Sequence, residues 1–186
     1  GLGFDKFYGI IGAESSQWEP PVYDQTTPIS PHVGNPGYHL TEDLADQTIA
    51  WIERQQVSRP NQPFFTYFST PALHAPHHVA REWIDKFKGQ FDGGWDVLRE
   101  EIYERQLKLG VIPPNTALTK RPEQVPAWSD YPERYQPVAA RLMETFAGFL
   151  AHTDAQVGRV IDALERLNIM DNTLVVYITG DNGASA

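Results

Sequence analysis

Apolar positions along this chain change their spacing several times, and each change marks an element or a break. Residues 1–38 hold no lasting period. Gly3-Phe4-Asp5-Lys6-Phe7-Tyr8-Gly9 sets three aromatics between glycines, and Trp18, Pro20, Pro21, Tyr23, Asp24, Pro28, Pro31 and Pro36 follow irregularly. An aromatic plug on a core, then an extended path over a surface, is expected there. Helical spacing begins next. Leu44, Ala45, Thr48, Ile49 and Ile52 form one stripe. Thr41 is a good N-cap, and Glu42 and Asp43 put negative charge on the first turn, where the helix dipole favours it. Arg54 lies near the end of this helix and Pro60 beyond it. Phe64-Phe65-Thr66-Tyr67-Phe68-Ser69, opened by Pro63, is aromatic and β-branched, which predicts a strand.

The second half repeats that order at greater length. Trp83, Ile84 and Phe87 make a short amphipathic set, Gly89, Gly93 and Gly94 interrupt it, and Trp95, Leu98, Ile102 and Tyr103 resume at spacings of three and four. Arg99, Glu100, Glu101, Glu104 and Arg105 fill the other face as solvated surface. Residues 110–136 are proline-rich, from Pro113-Pro114 towards Pro137, and are expected to cover part of a sheet edge or site. Leu142, Phe146, Phe149, Leu150, Thr153, Val157, Val160, Ile161, Leu164 and Leu167 fall on one face of the longest helix, closed by Asn168 and Asp171-Asn172. His152 lies within it and is expected to be capped or exposed. Thr173-Leu174-Val175-Val176-Tyr177-Ile178-Thr179 predicts a short buried strand. Helix followed by strand thus occurs twice, which points to an α/β class.

Composition narrows the function classes. The chain has 186 residues, 41% hydrophobic and 21% charged, which suits a globular domain with a sizeable core. A net charge of −9 argues against a nucleic-acid partner. No apolar run approaches the 18 residues of a membrane span, and no charged-then-apolar leader opens the sequence. Gly1 stands where an initiating Met would be, as in the interior of something longer. With no cysteine, disulfides, Cys-based zinc sites and a thiol nucleophile within this chain are excluded.

Each expected strand delivers a polar loop. The first carries His74, His77 and His78, three of the six histidines, between Pro71 and residues beyond Pro76, so these side chains sit on a stiff loop at a strand end. The second carries Asp181 and Asn182 between Gly180 and Gly183. Carboxylate and amide oxygens are hard donors of the kind Ca²⁺ or Mg²⁺ prefers, at the strand edge where ligands bind in open α/β sheets. The plainer reading is a strand ending in an Asp/Asn turn. If both strands share a sheet, the two loops converge.

Five stretches taken together resemble a known family. They are Gly3-Phe4-Asp5-Lys6-Phe7-Tyr8-Gly9, Tyr38-His39-Leu40-Thr41-Glu42-Asp43-Leu44-Ala45-Asp46, Pro63-Phe64-Phe65 through His74-Ala75-Pro76-His77, the helix around Asp154-Ala155-Gln156-Val157-Gly158, and Gly180-Asp181-Asn182-Gly183. In this order they resemble the formylglycine-dependent sulfatases of arylsulfatase type, in the alkaline phosphatase superfamily. The resemblance implies an α/β fold, a partial alkaline-phosphatase-like (sulfatase) domain with a mixed sheet between helices. It implies one partial domain over residues 1–186 that lacks its N-terminal and C-terminal parts. It implies Ca²⁺, or a similar divalent cation, on Asp181 and Asn182, and His77 as the histidine that contacts the sulfate of a small-molecule ester.

The family's nucleophile is a formylglycine made from Cys or Ser in a Cys/Ser-x-Pro-x-Arg core. Ser58-Arg59-Pro60-Asn61-Gln62 and Ser69-Thr70-Pro71-Ala72-Leu73 both lack Arg at the fifth position, so the formylglycine is expected outside this chain and the chain alone is expected to be inactive. Two alternatives stay open on the residues: a phosphodiesterase or phosphonate hydrolase of the same superfamily, and a non-enzymatic α/β module with zinc on His74, His77 and His78.

Overall fold

Very short strands carry the sheet. The computed structural model describes residues 3–12 and 14–178. In it β1 (Tyr8–Gly9), β2 (Val22–Asp24) and β3 (Thr27–Ile29) pair in that order, both pairings antiparallel, with Tyr8 opposite Asp24 and Val22 opposite Ile29. The turn between β2 and β3 puts Gln25 at φ +57°, a conformation that costs a non-glycine residue about 1 kcal/mol or more. Three hydrogen bonds offset it. Gln25 N donates to Phe7 O at 2.9 Å, its amide nitrogen donates to Asp5 O at 3.0 Å, and its amide oxygen accepts from Phe7 N at 2.9 Å. The sheet thus occupies residues read as irregular from the sequence, because strands of two or three residues are too short to show an alternation.

Two compact units are present, Gly1–Ala80 with Phe149–Ala186, and Arg81–Gly148. In the first, Val22, Tyr38, Leu40 and Leu44 form the core, joined by Tyr8, Ile10, Ile29 and Phe68. The helix α1 (Leu40–Ser58) presents Leu40, Leu44, Ala45 and Ile52 as its buried positions. The expected stripe is therefore correct in kind. Its N-cap is His39 and not Thr41: His39 has extended backbone, and its ring accepts from Thr41 N. Tyr8 and Tyr38 hydroxyls both donate to Asp43 Oδ2, at 2.6 and 2.9 Å, which ties β1 to the first turn of α1. Burial, and then the Asp43 carboxylate, hold both phenols above the ordinary tyrosine range.

The helix α4 (Gln136–Arg166) is the longest element and begins earlier than the pattern suggests, with Pro137 tolerated in its first turn. Beyond Arg166 the chain turns at Asn168, φ +56°, with Ile169 N bonded to Leu164 O at 3.1 Å, a left-handed ending of the expected type. Within the first unit, its buried positions are Phe149, His152, Thr153, Gln156, Ala163 and Leu164. The apolar stripe read from the sequence is displaced: Leu142 and Leu150 are exposed, and His152 is 1% exposed rather than on the surface. Acidic positions of α1 meet basic positions of α4 in three pairs, Glu42 with His152, Asp46 with Arg159 and Glu53 with Arg166. The pairs advance together along both helices, so the two run parallel.

Two expected strands are not formed. Residues 63–70 are extended, and burial alternates along them, with Phe64, Thr66, Phe68 and Thr70 partly buried while Phe65, Tyr67 and Ser69 are exposed. The alternation is that of a half-buried strand, but no strand among the described residues pairs with it. Residues 173–178 are likewise without regular structure, and Leu174 and Ile178 are 89% and 82% exposed. Apolar composition gives a segment strand propensity, while pairing and burial supply most of what makes it a strand.

In the second unit α2 (Arg81–Asp85) and α3 (Gly94–Leu109) flank the glycine interruption as expected. Gly94 is at φ +79°, and a Cβ there would fall 2.2 Å from the Trp128 ring. Within this unit the proline-rich passage folds back along α3. Tyr103 donates to Thr116 O, Arg99 to Thr119, Trp95 Nε1 to Pro126 O, and Asp96 accepts from Arg121 and from Trp128 N. Arg99, read as surface charge, is part of this seam. Glu144 of α4 holds Gly89 N at 2.7 Å and Arg141 at 2.6 Å.

Candidate active site

The histidine loop, residues 70–80, leaves the extended segment at Thr70 and is fastened there by a chain of hydrogen bonds. Ala72 N donates to Thr70 Oγ1 at 3.2 Å, the Thr70 and Thr41 hydroxyls lie 2.8 Å apart, and Thr41 Oγ1 donates to Gln17 Oε1 at 3.0 Å. Thr41 and Gln17 are buried, so every hydroxyl in the chain has a partner where an unpaired one would be costly. Thr41 thus spends its side chain on the loop, which is why the cap falls to His39.

Three histidines, His39, His78 and His152, gather around this start of α1, and His77 joins them through Phe149. The rings of His39 and His152 are 4.3 Å apart. His39 Nε2 donates to His78 O at 3.0 Å and its Nδ1 accepts from Thr41 N at 3.2 Å. Burial, reinforced by His152, pushes the His39 imidazole down to about 4, so it is neutral at ordinary pH. His152 Nε2 lies 2.9 Å from Glu42 Oε1. The Trp18 ring meets His39 edge-on at 5.0 Å and stacks on His78 at 6.0 Å. His77 packs against Phe149, ring centroids 6.3 Å apart. His74 stands at the loop's outer side, with Nδ1 2.8 Å from Ala75 O and 3.4 Å from the Glu14 carboxylate.

The structure places His77 against Phe149, on which His39 also packs; His39 and His152, which meet each other, the sequence reading left outside the site. One signal did point to His152: it lies at helical spacing between Phe149 and Gln156, on the face that is buried. Asp181 and Asn182 lie outside the described residues.

Comparison with known proteins adds the decisive observation: the sulfatase family model matches residues 1–186. The chain belongs to the sulfatase family. It is 31% identical to an uncharacterized sulfatase of Schizosaccharomyces pombe, over 89% of this chain and 29% of that protein. It is 31% identical to an arylsulfatase of Klebsiella aerogenes, over 80% of this chain and 31% of the other, and 25% identical to arylsulfatase K of Gallus gallus, over 82% and 30%. This sulfatase chain thus spans about a third of the length of these relatives. The α/β class expected from the sequence holds, with helices and a small sheet in one sulfatase-type chain.

The donor set of this sulfatase chain fits a hard cation in kind. Asp181 and Asn182 offer side-chain oxygens, though two are fewer than the six to eight that Ca²⁺ takes. Among the described residues no three His, Asp or Glu side chains are grouped to hold a metal, the three loop histidines included. No helix among the described residues is long and apolar enough to cross a membrane.

Proposed function

We propose that the complete gene product hydrolyses sulfate esters, aryl sulfates among them, to sulfate and an alcohol or phenol. The sulfatase match over residues 1–186 carries this reading, since it takes in both the histidine loop and the Asp181-Asn182 stretch. A sulfate ester is anionic, so oriented donors and positive charge must surround it before a nucleophile approaches. His77 is assigned to the sulfate. An imidazole N–H within hydrogen-bond reach of a sulfate oxygen orients the ester and protonates the leaving oxygen. Asp181 and Asn182 would hold a Ca²⁺ or similar hard cation, which supplies charge neutralisation at the bound sulfate. The formylglycine nucleophile is assigned to a position outside residues 1–186, in a chain without cysteine. The 186-residue chain by itself is therefore expected to turn over no sulfate ester.

One observation favours a second assignment within the same loop. His74 and His77 are both partly buried, but the Nε2 of His77 is enclosed, so an ester meets that atom only after local rearrangement. Alanine substitution at 74, 77 and 78 in the complete gene product, assayed on a chromogenic aryl sulfate, separates the two. The larger loss identifies the sulfate-binding residue. An aryl phosphodiester assayed alongside tests the class: turnover of it with none of the sulfate ester would replace the sulfatase activity proposed here.

A further inference from the structure

We propose that His39 is a positioning residue that pins the histidine loop to the start of α1 and so sets where the sulfate-binding histidine stands. The catalytic half of this rests on the activity proposed above; the structural half does not.

His39 is 4% exposed, and both ring nitrogens are used. A backbone N–H can only donate and a carbonyl can only accept. Thr41 N therefore requires a bare Nδ1, and His78 O requires a protonated Nε2. This fixes one neutral tautomer and one ring orientation: the other tautomer would face donor with donor and acceptor with acceptor, and a flipped ring would present carbons where both nitrogens now bond. Trp18 on one side and His152 on the other leave the ring little room, at 5.0 and 4.3 Å between centroids. The titratable groups around it are His152, with Glu42 behind it, and His78.

The loop is consequently held at both ends by nearly the same point of α1, Thr70 on Thr41 and His78 on His39. His74 and His77 lie between the two fastenings. Whichever of them takes the sulfate, its position depends on these two bonds; at the far end of the loop the one from His39 holds the backbone, while Ser16 Oγ, 3.4 Å from His78 Nδ1, and the stacked Trp18 ring meet the His78 side chain.

Two substitutions in the complete gene product separate capping from positioning. In His39→Asn the side-chain oxygen can replace Nδ1 as the helix cap, while the amide is too short to reach His78 O. In His39→Gln the amide nitrogen can replace Nε2, while the cap is lost. Hydrogen exchange of residues 71–78 is expected to speed up about tenfold or more in His39→Asn, beyond the change its loss of global stability produces in the rest of the chain, and to stay within about twofold of that change in His39→Gln. Hydrolysis of the aryl sulfate is expected to follow the loop and not the stability, with kcat/KM down about tenfold or more in His39→Asn and little changed in His39→Gln. Wild-type exchange in His39→Asn, or equal losses in both variants in proportion to their stability, would overturn the tether. Faster exchange with unchanged hydrolysis would overturn its catalytic half. If the wild-type protein hydrolyses no sulfate ester, the proposed activity falls, and the exchange result alone decides the tether.

Discussion

His152 Nε2 lies 2.9 Å from Glu42 Oε1, which joins a side chain only 1% exposed on α4 to a half-exposed carboxylate on the first turn of α1. A carboxylate can only accept, so His152 donates through Nε2. The two partners differ in what they leave behind. His152→Ala opens a void against the His39 ring, and is expected to cost about 2–4 kcal/mol by urea unfolding. Glu42→Gln keeps an acceptor in a partly hydrated place, and is expected to cost under about 1 kcal/mol. Equal effects at the two positions would mean that the bond, and not the packing, dominates.

Acid should weaken this fold through His39. Its folded-state value, about 4, lies below the ordinary 6.5, so between these values the unfolded chain binds more protons than the folded one. The penalty is absent above pH 6.5, grows as pH falls towards 4, and levels off below it. Its full size is on the order of 3 kcal/mol, at about 1.36 kcal/mol for each pKa unit. Measured across pH 7 to 4, the stability of the wild type should fall further than that of His39→Asn.

Gly148 is expected to reject even a methyl group. A Cβ there would lie 2.8 Å from the backbone of Ile84 and 2.9 Å from that of Trp83, and backbone atoms cannot swing aside as a side-chain tip does. Gly148→Ala should lower stability by about 1–3 kcal/mol despite the better helix propensity of alanine. Gly158, on the same helix, meets nothing within 4 Å, and Gly158→Ala should gain up to about 1 kcal/mol. Thermal melts of both variants check the opposite signs.

Asp181→Ala in the complete gene product should abolish calcium retention in calorimetry while the helical circular-dichroism signal persists. The carboxylate is the one charged donor of the proposed pair, and a neutral amide alone holds a divalent cation poorly. Undiminished calcium binding would place the metal elsewhere.

Helices were legible in this sequence because their pattern repeats over several turns. α1, α2, α3 and α4 are all where the apolar spacing puts them, to within a few residues at the ends. The sheet was not legible, since Tyr8–Gly9 and Thr27–Ile29 are too short to carry a period and the β2–β3 turn uses Gln25 where glycine or asparagine would have signalled it. Phe64–Ser69 misled in the other direction: its composition and its alternating burial are those of a strand, and pairing is a property of neighbours that one segment's residues do not encode. The loop histidines stood out by their crowding. His39 and His152 did not, because one is a lone histidine just ahead of a helix and the other a lone histidine within one, and their meeting joins residues 113 positions apart, a distance no local pattern spans.

The acid–base pairs between α1 and α4 are separated by 110, 113 and 113 positions in the chain. Such a nearly constant offset works like the teeth of a rack. Sliding α4 by one turn along α1, about 5.4 Å, would unmesh all three pairs together, and the spacing leaves Asp46 and Glu53 no second arginine to engage on the way. The two exposed arginine pairs each add only about 0–1 kcal/mol to stability. As a set they rank one alignment of the two helices above its neighbours, so their loss should show less in the melting temperature than in how narrowly the two helices hold a single alignment.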